Sequence, residues 1–153
     1  MKENESVRLE KLLVKVLADY QMIESELRQL VISKHEMILK LTNEWTKYTY
    51  DHKKILKMGL GQLVSAYKQL SNNDSFINTL GELVEKRNDI AHNAFNRIYN
   101  KNKNNSLKIT EEIHSLEDIS HKIDAFMYLL LVEVAESLKT QMDVTTFVKK
   151  HPR

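Results

Sequence analysis

Cysteine is absent from all 153 residues. That excludes disulfides and thiolate metal sites, and it suits a reducing compartment, so the expected location is the cytoplasm. Proline occurs once, as Pro152, and glycine three times, at Gly59, Gly61 and Gly81. With so few residues that break regular structure, and with abundant Leu, Lys, Glu and Ile, the expectation is long helices. No apolar run approaches the ~20 residues needed to cross a membrane, so no membrane partner is expected. "LLVKVLADY" is interrupted by Lys15 and Asp19 and makes a poor signal peptide. The sequence also lacks HExxH, a P-loop and a Gly-rich dinucleotide turn, which leaves zinc hydrolase, NTPase and Rossmann readings without support. His35, His52 and His151 are isolated, and His114 and His121 stand seven apart, which is not a zinc-pair spacing. No metal and no cofactor is expected.

The length fits a single domain over residues 1–153, with a core at about 5–142 and a tail expected to fray. The net charge is +2, too small to make the whole chain a polyanion binder, but the charge is patchy. "HKKILK", "KNKNNSLK" and "KKHPR" are basic, whereas 111–118 is acidic. Taken alone such patches are solvated faces and loops; they gain meaning only beside a reactive centre.

Leu9, Leu13, Val16, Tyr20, Ile23, Leu27, Leu30, Met37 and Leu41 follow a 3.5-residue period, the seam of a helix packed lengthwise on others. The partners are either helices of the same chain or a second copy. Lys34 interrupts the seam, so the helix bends near Ser33 or the lysine stem reaches out to water. Residues 42–54 lose the period and read as a connection. Helical spacing returns through Leu60, Leu63, Val64, Tyr67 and Leu70, with the start at or after the glycines. "SNNDS" is a turn offering Asp74 and Ser75 as N-caps for a third helix that reaches about Tyr99. "NKNKNNS" is a loop, "LKIT" a short extended piece, and a last helix runs from Thr110 or Ser115 to about Gln141. The expected fold is an all-α antiparallel bundle of four to five helices.

Within the third helix, "EKRNDIAHNAF" is the stretch least suited to a plain core. On an ideal helix Arg87 falls near the centre of the apolar stripe formed by Phe76, Ile77, Leu80, Leu83, Val84, Ile90, Ala91, Ala94 and Ile98. Asn88, His92, Phe95 and Tyr99 share one flank, and Arg87 and His92 stand roughly 140° apart. A guanidinium in a dry core is costly unless paired. Two readings follow. Arg87 is paired with a carboxylate of another helix and His92 is a partly buried hydrogen-bonding residue, or this edge opens onto a cleft where Arg87 meets an anion and His92 moves a proton.

"RNDIAH" resembles the Arg, polar residue, three residues, His motif of HEPN domains, the higher-eukaryote and prokaryote nucleotide-binding superfamily. Arg87 matches the family arginine, Asn88 the polar residue after it and His92 the histidine. "FINTLGELVEK" is similar to the apolar run before the motif in small stand-alone members, and the all-α layout is similar too. Many members are metal-independent endoribonucleases and toxins of bacterial defence systems. The resemblance implies a toxin or effector of a toxin–antitoxin or phage-defence system, an antitoxin protein as partner, RNA as substrate, and a homodimer that pairs two motifs across its axis.

The chemistry suits these residues. When an RNA 2′-OH attacks the adjacent phosphate, a catalyst must deprotonate the hydroxyl, offset the added negative charge and protonate the leaving oxygen. His92 can act as acid or base near neutral pH, Arg87 can clamp the phosphate, and Asn88 can orient the imidazole or bond the substrate. Around a two-fold axis Leu83 or Ile90 would pack across, and Lys101, Lys103, Lys108 and Tyr99 would guide the RNA at the groove mouth. Two other readings stay open: a non-catalytic HEPN-like module that binds RNA, a nucleotide or a protein, and a helical interaction protein whose "RNDIAH" is structural.

Overall fold

The structure is a computed structural model that describes residues 4–42, 46–94 and 106–150. It contains five α-helices: α1 Glu5–Thr42, α2 His52–Leu56, α3 Leu60–Lys68, α4 Asp74–Asp89 and α5 Ser106–Lys150. α4 continues into a π-helical turn, Ile90–Ala94. There is no strand among the described residues, so the all-α expectation holds.

The 3.5-residue seam of α1 is the centre of the core. Leu9, Leu13, Val16, Tyr20, Ile23, Leu27 and Leu30 are all buried, and they face Ile113, Leu116, Ile119, Ile123, Phe126 and Leu130 of α5. These two helices run in the same direction. Arg8 pairs with Glu117, Lys15 approaches Asp124 at 3.8 Å, and Lys34 approaches Glu133 at 3.8 Å, so contacts advance along both helices together. α4 runs the other way. Its cap, Asn73, sits at Glu133, level with Lys34, whereas Arg87 at its far end acts electrostatically on Tyr20. The expected antiparallel packing therefore describes α4 against its neighbours, but the largest helix pair is parallel. The cause lies after α1, where the chain returns to the middle of that helix before turning again. Arg28 Nη2 donates to the Met58 carbonyl at 3.0 Å, and the Leu60 N–H donates to Glu24 Oε2 at 3.1 Å. Glu24 thus satisfies an open N–H at the start of α3, where Gly59 has no side chain to do so.

Several boundaries differ from the sequence reading. α1 runs on past Ser33 and Lys34 to Thr42 as the seam implied, but Lys34 approaches the Glu133 carboxylate rather than reaching out to water. His52–Leu56 forms a helix inside the expected connection, capped by Asp51, whose Oδ1 accepts the Lys54 N–H at 2.9 Å. Asn73, not Asp74 or Ser75, caps α4 by accepting the Phe76 N–H at 3.2 Å. "LKIT" is helical, since half-buried Ile109 and buried Ile113 extend the packing of α5 backwards, and helix also continues through 142–150. His35, isolated in sequence, stacks on Tyr50 with ring centroids 4.7 Å apart and hydrogen-bonds Tyr48; burial lowers its pKa. These rings fasten the connection to α1.

The most demanding interior group is Glu133, whose carboxylate is 8% exposed as a residue. Tyr67 donates its hydroxyl to Oε1, Asn73 Nδ2 donates to Oε2 at 3.0 Å, and the Lys34 ammonium supplies the opposite charge. Burial and the bond to Glu133 both raise the pKa of Tyr67, which keeps it a donor. Removing the carboxylate strands these donors and an ammonium. Glu133→Ala is expected to lower unfolding free energy by about 3 kcal/mol, measured by urea titration. A loss below about 1 kcal/mol would show that the cluster is solvated.

Candidate functional site around Arg87 and His92

The site lies where α4 leaves the bundle. Up to Leu83 the helix is held by its apolar face, with Phe76, Ile77, Leu80 and Leu83 buried against the core. Arg87 follows in the last turn and is half-buried. Its Nη1 donates to Asn88 Oδ1 at 3.3 Å. Among the described residues no ion pair joins Arg87 to a carboxylate. The paired-arginine reading is thus not the arrangement found. Below Arg87 lies Tyr20 of α1, which is 2% exposed and whose hydroxyl has no hydrogen-bond partner. Burial pushes the Tyr20 pKa up to about 12, and the Arg87 charge opposes that rise.

Beyond Asp89 the backbone changes. Ile90–Ala94 bond as a π turn, i to i+5, in place of the α pattern. A wider turn brings residues five apart nearer to one face, and Arg87 and His92 are five apart. The ideal-helix separation of roughly 140° is therefore reduced by the widening. Ala91, expected in the apolar stripe, is exposed, while Ile90 stays buried. His92 itself is exposed rather than partly buried. Asn93 Nδ2 donates to Asp89 Oδ1 at 2.9 Å and braces the turn from outside.

Arg87 and Asn88 are thus in contact, and His92 follows on an exposed turn beside them. Lys108 is exposed in the first turn of α5. Tyr99, Lys101, Lys103 and Phe95 lie outside the described residues. Leu83 and Ile90, expected to pack across a two-fold axis, are each 3% exposed and buried in their own chain, so they are not available to a partner. Tyr20 and the π turn were not anticipated. Tyr20 stood in the α1 seam as an ordinary apolar position, and its buried hydroxyl was the only sign that it needed something nearby. Among the described residues, no three His, Asp or Glu side chains converge to hold a metal ion. No described helix is long and apolar enough to cross a membrane.

No protein-family model matches the chain, and no curated protein or solved structure shows significant similarity to it. The functional reading accordingly rests on the residues and their placement.

An unpartnered buried hydroxyl stabilises nothing, so Tyr20→Phe is expected to leave unfolding free energy unchanged or to raise it by up to about 1 kcal/mol. Thermal unfolding of the two proteins measures this. A clear loss of stability would reveal a partner for the hydroxyl, with Arg87 the charge beside it.

Proposed function

We propose that this chain is a metal-independent endoribonuclease of the HEPN type, acting as the toxin or effector of a toxin–antitoxin or phage-defence system. The observation that carries the reading is a half-buried arginine with no carboxylate partner among the described residues, set shortly before a π turn that exposes a histidine five residues on. Such turns occur often at functional sites. An arginine in this setting is short of negative charge, and an RNA phosphate supplies it in a form its fork of donors matches. His92 then moves the proton of the 2′-OH or of the leaving oxygen, and Asn88 keeps the guanidinium turned towards the substrate.

One chain offers one such histidine, whereas the reaction needs a base and an acid. A homodimer with two motifs on one groove supplies both. The chain has apolar surface to spare for self-association. Tyr128 and Leu131 of α5 are both more than half exposed. An antitoxin protein would act by covering the Arg87 edge. The Asn88–Arg87 bond also favours a second reading, in which Asn88 serves phosphate binding alone and the domain holds RNA without cutting it.

Incubating the purified protein with total RNA separates the two. Cleavage is expected to persist in EDTA and to leave 2′,3′-cyclic phosphate ends. Arg87→Ala and His92→Ala should each reduce it by about 10²-fold or more while helical circular dichroism is kept. Binding without fragments in the wild type would establish the second reading, and cleavage restored only by magnesium would remove the mechanism.

Light scattering tests the shared groove separately. The expected mass is about 36 kDa, twice the 18.0 kDa chain. A strict monomer that still cleaves RNA would remove the two-histidine arrangement.

A further inference from the structure

The second half of α1 and the last third of α5 enclose an open cavity of about 220 Å³, away from the Arg87 edge. Its walls are Leu30, Ile32, Val134 and Leu138, and its polar groups are Gln29, Ser33, Glu36, Ser137 and Gln141. Two of these polar groups are unusual. Ser137 is 3% exposed, and its hydroxyl has no hydrogen-bond partner; the Ser33 hydroxyl opposite it on α1 is buried and also has none. A serine inside a helix commonly bonds the carbonyl one turn back, as Ser65, Thr140 and Thr145 do here with the corresponding oxygens. Ser33 and Ser137 do not, and both line the same cavity. Buried hydroxyls without partners call for a ligand that supplies them.

Charge narrows the ligand class. Glu36 is the one formally charged group of the lining, and it forms no ion pair with another described residue. An anion is therefore repelled, and a cation is attracted. Apolar walls beside an acceptor cluster suit an alkyl chain that ends in an ammonium, whose N–H groups donate to Glu36 and to the serine oxygens. We infer that this groove binds a short aliphatic amine, whether free in solution or as the side chain of a lysine. The inference is independent of the RNA-cleaving reading.

The test is a titration of the whole protein with n-butylamine, 1,4-diaminobutane, n-butanol and sodium butyrate at constant ionic strength, read by amide chemical shifts. The expected result is saturable shifts near Ser33 and Ser137 with both amines, at least about tenfold weaker binding of butanol, and no binding of butyrate. Ser137→Ala and Glu36→Gln should each weaken the amines by about tenfold with helicity kept. Ser137→Val, which projects methyl groups into the cavity, should abolish binding. A lysine tripeptide blocked at both ends distinguishes the sources, since the side-chain source requires it to bind and the free-amine source requires it not to. Absence of saturable shifts at ten-millimolar amine, or amine affinity unaltered by both Ser137→Ala and Glu36→Gln, would overturn the proposal.

Discussion

The Glu133 carboxylate is the point on which the arrangement of helices depends. A buried charge is tolerated only where its partners converge. Here they come from α1 as Lys34, from α3 as Tyr67 and from the turn before α4 as Asn73. Apolar seams slide past one another at small cost, because one Leu replaces another. A carboxylate that must meet an ammonium, a phenol and an amide permits one register. Asn73 extends the effect, since the residue that bonds Glu133 also caps α4. The position of the first turn of α4 is therefore set by α5, and a rigid helix carries that setting down to Arg87 at its other end.

The sequence revealed most where periodicity is long. The α1 seam was readable from Leu9 to Leu30, since a lengthwise packed helix repeats one pattern over many turns. Lys34 was visible as a break, but its partner Glu133 was not, because a pairing across 99 positions leaves no local trace. The relative direction of α1 and α5 was hidden for a similar reason. It depends on how far the chain returns after α1, which is decided by Arg28 holding the Met58 carbonyl. Short patterns misled where a local preference competed with packing, as in "LKIT", which carries β-branched residues yet continues the buried series of α5.

At the candidate site the residue names were legible and their mutual rotation was not. Arg87, Asn88 and His92 can be picked out by type and spacing, but an angle computed for an ideal helix fails once the hydrogen bonds shift to i+5. Nothing in "IAHNA" announces that shift. Arg87 is half-buried, because the helix leaves the bundle at that level, and the choice between a sealed pair and an open cleft was not legible in the spacing. The site so formed joins a fixed end and a loosely held one. Arg87 stands on a helix anchored by Leu80 and Leu83, whereas His92 belongs to a turn whose bonding geometry is less favourable than that of the helix before it.

The π turn makes the length of the chain matter, apart from its composition. A widened turn accommodates one residue more than the helix around it. Were a single residue removed between Asp89 and Ala94, the backbone could close as continuous α-helix, and whatever follows would swing by about 100° with respect to Arg87. Every side chain of the motif could be retained and the arrangement would still be lost. The spacing of the arginine and the histidine is thus set by a count of residues as well as by their chemistry, and insertions or deletions bear on this edge of the molecule in a way that point substitutions do not.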